Sequence, residues 1–459
     1  LNEFFSVCPQ NARQRAVVDA FKFAWKGYKT YAWGHDHLKP LSKSYSEWFG
    51  LGLTIVDSLD TMIIMGLDEE FEEARSWVAE SLTFEKNVFV NFFETSIRIL
   101  GGLLSAYHLS GERMFVEKAE DVGKRLLAAY TGSSPIPVSD VNLKSSAKQP
   151  PGSGESSLSE VTTVQIEFRD LSRVTGNSTF ETLTFSTSEH IHKLGCDKYD
   201  GLCGMFLDPI AGTFRDVSTI TVGARADSYY EYLLKQWLQT GKKIDWLKDD
   251  YVKAIAAMEK NLIRKSEPSK LTFIGEILPS NKYSPKMDHL ACFLAGTLAL
   301  GTLNGLPNSH LELGEALGSG CHRMYQTPTG LWPEIIYFNT VAGRGTDILI
   351  KEMDAHCLLR PEAIEAWFYL YRVTKNKMYQ EWGWEAFKAL LKYAKVENGF
   401  SSVNSVKRIP VLYRDMMESF FLAETLKYLY LLFDDEGTDI PLSTFVFNSE
   451  GHPLPIYSH

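Results

Sequence analysis

The stretch ETSIRILGGLLSAYHLSG, residues 94–111, decides the reading of the fold. It is apolar nearly all the way round a helix, carries small Gly and Ala residues, and stops at a Ser-Gly pair. Such a helix has no polar face to offer water and belongs inside. The segment after it, RMFVEKAEDVGKRLLAAY (113–130), is charged along one face and belongs outside. The same pair recurs along the chain. Its apolar members also read FGLGLTIVDSLDTMIIMGL (49–67), TTVQIEFRDLSRVTG (162–176) and RADSYYEYLLKQWLQTG (225–241). HLACFLAGTLALGTLNG (289–305), PEAIEAWFYLYRVTKN (361–376) and ESFFLAETLKYLYLLFDD (418–435) complete seven.

The turns behind these helices fall at Gly66, Gly111, Gly176, Gly241, Gly305, Lys375 and Asp434, spaced by 45, 65, 65, 64, 70 and 59 residues. That spacing is a repeat of two helices plus loops. Inner and outer helices repeated seven times can close on themselves or stay open as a solenoid. No polar capping repeat stands at either end, so an all-α (α/α)7 barrel, a closed toroid, is expected. The repeat overrides the length prior of two or three domains and predicts a single catalytic domain over 1–459. Residues 131–160, rich in Ser, Pro and Gly, interrupt the period and read as a surface loop on the rim.

The chain carries a net charge of −10 and is 13% aromatic. An acidic balance argues against nucleic acid as a partner. There is no run of eighteen apolar residues, so no membrane span is expected within the chain. It opens at Leu1 without a signal pattern and reads as a fragment or a processed domain with room for an upstream anchor; a monomer is expected. Cys8, Cys196, Cys203, Cys292, Cys321 and Cys357 lack the CxxC spacing of structural zinc. Cys196 and Cys203 flank a turn and could pair; Cys292 and Cys321 lie on separate helices and could bridge them. Asn177-Ser178-Thr179 is a sequon in a loop, where a glycan would be exposed, and leans toward a secretory compartment.

The chemistry sits in acids at the starts of the inner helices: Glu94, Asp227 and Glu362, with Glu167, Asp288, Glu365, Glu418 and Glu424 in similar apolar settings. Any one alone is more often a first-turn acid stabilised by the helix dipole, or half of an i, i+4 pair such as Glu94 with Arg98. Together, a closed ring would bring them to one axial pocket. Burying that many carboxylates requires cations, here Arg98, Arg225, Arg360 and a calcium ion, or a polar ligand. Paired carboxylates beside aromatic walls suit glycoside hydrolysis. No GxSxG, P-loop, GxGxxG or HExxH motif supports another class. From the residues alone the chain reads as a carbohydrate-active toroid.

At these same residues the chain resembles glycoside hydrolase family 47, the class I α-1,2-mannosidases. The matching segments include YAWGHDHLKP (31–40), TIVDSLDTMIIMG (54–66), FETSIRILGGLLSAYHLSG (93–111), GARADSYYEYLLKQWL (223–238), KMDHLACF (286–293), LLRPEAIEAWFYLYRVT (358–374) and FNSEGHPLP (447–455). The resemblance implies Glu94 as general acid, Glu362 as general base and Asp227 as a third essential carboxylate. It implies that Arg98, Glu167, His289, Glu334, Arg360, Phe420, Glu424 and Glu450 serve the mannose pocket, and that Cys292 pairs with Cys321. It also implies calcium at Ser449, where the family's motif carries threonine; the hydroxyl and carbonyl survive, but the β-methyl that stiffens the rotamer is lost. Arg225 resembles the endoplasmic-reticulum members, which take one preferred terminal mannose from the nine-mannose glycan. High-mannose N-glycans are the implied partner and the lumen of the secretory pathway, endoplasmic reticulum or early Golgi, the implied place. The rival reading is a glycan-binding lectin, against which Glu94, Asp227 and Glu362 all stand.

Overall fold

The computed structural model of the chain describes residues 9–130, 134–149, 155–343 and 345–457. The inner helices are Leu53–Met65, Gly101–Ser110, Gln165–Thr175, Asp227–Gln239, Phe293–Leu303, Glu362–Thr374 and Leu426–Leu432. Each packs on the next, and Leu426–Leu432 returns to Leu53–Met65, so the ring closes. Their apolar, Gly-bearing surfaces allow close approach: a Cβ on Gly102 would stand 2.7 Å from the Val56 carbonyl oxygen of the neighbouring helix.

The outer helices are Asp68–Glu80, Arg113–Leu126, Thr179–Leu194, Asp245–Asn261, Asn308–Met324 and Met378–Tyr393, each following its inner partner. The seventh comes from the other end of the chain. Helix Ala12–Tyr31 packs against Leu426–Leu432, and its capping residue Asn11 donates to the Phe433 carbonyl at 2.7 Å. The expected (α/α)7 barrel is therefore present, sealed by a long-range pairing of the chain ends. Helix stops fall where the turn residues placed them: Gly66, Gly111, Gly176 and Lys375 are left-handed C-caps.

Two inner helices are preceded by π-helical turns, Ser96–Leu100 and Phe421–Thr425. A π turn inserts a residue and redirects the side chains around it. Short antiparallel ladders join the loops. Asp140–Asn142 pairs with Phe89–Asn91, and Ser156–Ser157 with Phe206–Asp208, so the described part of the 131–160 loop is tied to the rim. The last hairpin, Phe445–Phe447 with Pro453–Pro455, contacts helices Gly101–Ser110, Gln165–Thr175 and Asp227–Gln239 from inside the ring. Cys292–Cys321 and Cys196–Cys203 are both disulfides, and Cys357 is a buried free thiol; Cys8 lies outside the described residues.

Candidate active site

A cavity of about 360 Å³ lies among the starts of the inner helices. Its walls hold Glu94, Arg98, Arg225, Asp227, Arg360, Glu362, Phe420 and Glu424, with Ser449 and Glu450 from the hairpin turn. Asp227 and Glu362 are each the first residue of their helix, and Glu94 sits in the first turn of Phe92–Thr95, where unsatisfied N–H groups favour a carboxylate. The expected convergence of acids is thus realised.

Each of the three acids has a different setting. Glu94 accepts from Arg98 Nε at 2.8 Å and keeps a quarter of its side chain exposed (25%). Asp227 accepts from Ser159 Oγ at 2.7 Å and from Ser228 N at 2.9 Å. Burial outweighs those bonds and pushes the Asp227 carboxyl up to about 7. Glu362 is buried too, but there the His289 ring, bonded at 2.9 Å, and the charge on Arg360 more than offset burial and hold it below the usual range. An ionised carboxylate and one titrating near neutrality, in a single cavity, is the separation that acid–base chemistry requires.

Phe420 presents its ring between two guanidinium groups, Arg98 at 5.8 Å and Arg360 at 5.4 Å. An aromatic face framed by charged donors suits the apolar face and the hydroxyls of a sugar. Arg225 stands exposed at the entrance over the Phe206 ring at 5.4 Å, its backbone in the left-handed region at φ 80°. For an arginine that conformation is strained, and it is held by the Ser159 N–H bonding to the Arg225 carbonyl at 2.9 Å.

Glu167, His289 and Glu334 stand one layer behind the lining residues. Glu334 accepts from Arg360 Nε, and His289 bonds Glu362 while its other nitrogen faces the Tyr325 hydroxyl at 3.0 Å. Glu167 accepts from Asn448 Nδ2 at 2.8 Å and from the Tyr232 hydroxyl, which in turn takes the Ser449 N–H at 3.2 Å. Asn177 lies partly exposed before helix Thr179–Leu194, its side-chain oxygen accepting from Thr179 N at 3.1 Å.

Sequence reading passed over Ser159, Glu160 and Glu231, which also line the cavity. Glu231 had a signal, being one turn after Asp227 on the same face, as Glu365 is after Glu362. Ser159 had none, because it arrives through the loop-to-helix fold at 157–162.

The floor fits a hard cation. Ser449 is partly exposed at the turn, where its hydroxyl donates to Glu231 Oε2 at 3.1 Å. Around it Glu365 is pushed up to about 8 and Glu167 to about 7, in both cases chiefly by burial. Glu424 and Glu450 are raised well above the ordinary carboxylate range by burial and by neighbouring carboxylates. Acidic side chains outnumber Arg98, Arg225, Arg360 and Lys235, and among the described residues one Glu167 oxygen has no hydrogen-bond partner, so a bound cation is what would let these carboxyls ionise. Among the described residues no three acid, His or Cys side chains form a cage of their own. A metal would therefore be held through the oxygens of Ser449, water and ligand hydroxyls.

Residues 20–456 match the glycosyl hydrolase family 47 profile. The chain belongs to glycosyl hydrolase family 47. Within family 47 it is 55% identical over 458 residues to the endoplasmic reticulum mannosyl-oligosaccharide 1,2-alpha-mannosidase of Rattus norvegicus, covering 98% of this chain and 69% of that one. The Homo sapiens protein of the same name is 54% identical over 456 residues, with 98% and 64% covered, so this chain spans less than two thirds of that relative. Among solved structures, the alpha-1,2-mannosidase from Trichoderma reesei superposes with a TM-score of 0.91 at 29% identity, covering 98% of this chain and all of that one (100%). The resemblance read from the motifs, the hydrolase class and the barrel are thereby borne out. No helix among the described residues is long and apolar enough to cross a membrane.

Proposed function

We propose that this family 47 chain is an exo-acting α-1,2-mannosidase that removes terminal mannose from high-mannose N-glycans, acting as one catalytic unit in the lumen of the secretory pathway. The observation that carries this reading is the meeting of Glu94, Asp227 and Glu362 in one cavity faced by Phe420. Names borne by the rat and human relatives support the bond and the glycan, and their compartment supports the endoplasmic reticulum.

In this reading the terminal mannose seats against Phe420, with Arg98 and Arg360 binding its hydroxyls. Glu94, partly exposed and paired to Arg98, hands a proton to the departing oxygen. Glu362, kept ionised by His289, takes a proton from the attacking water. Asp227, near neutrality, holds water between them and relays a proton toward Glu94. Attack from the face opposite the leaving group gives inversion. A calcium ion bound at Ser449 supplies charge to the carboxylate-rich floor and a place for sugar hydroxyls. Arg225, above the entrance, contacts the branch beyond the scissile bond and selects one preferred terminal residue.

The test is mannose release from the nine-mannose glycan, with and without a chelator, with the released anomer read by proton NMR. Calcium-dependent release of β-mannose that halts at eight residues is expected. Absence of release under every condition would put a glycan-binding lectin in its place.

A further inference from the structure

Beneath the cavity lies a second group of charges that the chemistry above does not use. Asp57 and Asp60, one turn apart on helix Leu53–Met65, face His452 from the hairpin and Lys427 from helix Leu426–Leu432; all four side chains are fully buried at 0% exposure. His452 Nε2 lies 3.1 Å from Asp57 Oδ1 and its Nδ1 2.7 Å from Asp60 Oδ2. A carboxylate has no proton to give, so both ring nitrogens donate and the imidazole is a cation. Lys427 Nζ stands 2.8 Å from Asp60 Oδ1 and donates to the Gly451 carbonyl at 2.6 Å, while Ser105 Oγ donates to Asp60 at 2.9 Å. Two anions and two cations make the layer neutral.

This layer reaches the site twice. Asp57 Oδ2 lies 3.8 Å from Arg98 Nη1, and the same guanidinium bonds Glu94 and Glu450. On the other side, Lys427 and His452 grip the turn that carries Ser449 and Glu450. Asn448 fastens that turn from within, taking the N–H groups of Glu450 at 2.9 Å and His452 at 2.8 Å and donating to the Ile97 carbonyl at 2.9 Å. Helices Leu53–Met65 and Leu426–Leu432 and the hairpin thus meet through ions where apolar side chains of similar size would serve stability as well or better. What ions add is direction, because each bond fixes an angle as well as a distance.

We propose that Asp57 and His452 are positioning residues: the Asp57–His452–Asp60–Lys427 layer holds Arg98 in register with Glu94 and sets the Ser449–Glu450 turn. The inference rests on the reading of Glu94 as acid and Ser449 as calcium ligand. Asp57→Asn in the full chain tests it, with two readouts besides folding: kcat against KM, and the calcium concentration that raises the Tm of chelator-treated protein. Expected are a loss of kcat of about tenfold or more with KM little changed, and a calcium midpoint raised about tenfold. Should Asp57→Asn fail to fold, the double variant Asp57→Asn/His452→Gln removes an anion and a cation together, keeps the layer neutral, and is expected to show the same two losses. A folded variant with lowered Tm but unchanged kcat and calcium midpoint overturns the proposal and leaves the layer a stabilising contact. Wild-type protein that releases no mannose, or whose Tm ignores calcium, refutes the underlying reading instead.

Discussion

His289 Nδ1 donates to Glu362 Oε2 across 2.9 Å from a ring that is fully buried (0%) against Tyr325 and Trp332. The pair joins two inner helices and keeps a buried carboxylate charged. Replacing His289 by Leu or Phe removes the donor while burial stays, so the Glu362 pKa rises. The acidic limb of the kcat/KM profile should move up by about one to two pH units, as expected for losing one charge-assisted bond. An unmoved limb would take from Glu362 its role as base.

Buried acids also make stability depend on pH and calcium. Asp227 and Glu167 titrate near 7 in the folded chain and Glu365 near 8, all above their unfolded values. A carboxyl raised on folding binds protons preferentially in the native state, so its contribution is complete below the unfolded pKa and lost as pH rises through the folded one. With chelator present, Tm should fall between about pH 4 and pH 8; excess calcium, which favours the charged forms, should flatten that slope. Calorimetry across this range with and without calcium decides it.

Ser449 carries the hydroxyl but lacks the β-methyl of threonine. Ser449→Thr should tighten calcium binding by about twofold, the equivalent of roughly 0.5 kcal/mol of rotamer entropy, and Ser449→Ala should weaken it by about tenfold or more. Titration calorimetry on chelator-stripped protein measures both, and equal affinities for all three would remove calcium from this turn.

Arg225 combines a left-handed backbone with a charged tip at the entrance. Arg225→Gly suits that backbone better than arginine does while deleting the guanidinium. The variant should fold at least as well and should trim the nine-mannose glycan past eight residues. A time course that still halts at eight assigns the selectivity elsewhere.

Cys292 and Cys321 close a separation of 29 residues between an inner helix start and its outer partner. Replacing both with serine should cost roughly 3–4 kcal/mol of stability, from the freedom returned to the unfolded chain. Unfolding in urea under matched conditions measures the loss.

The barrel was legible in the sequence because its cause is local and repeated: each inner helix must hide nearly its whole surface, and each turn residue stops a helix by its own backbone preference. The first-turn acids Glu94, Asp227 and Glu362 were legible for the same reason, since closing the ring leaves their ends no other place to point. The family motifs implied the roles, and the pairs behind them, His289 with Glu362 and Glu334 with Arg360, took their geometry from contacts between segments apart in the chain. Only the tertiary structure decided that Ala12–Tyr31 is the seventh outer helix, because that pairing joins opposite ends of the chain. The same holds for Ser159 on Asp227, for the π turns that carry Arg98 and Glu424, and for the ionic layer under the floor. An aspartate such as Asp57 reads on its helix as an interruption of an apolar run. Its partner His452 arrives only when the chain returns over 395 positions to meet it.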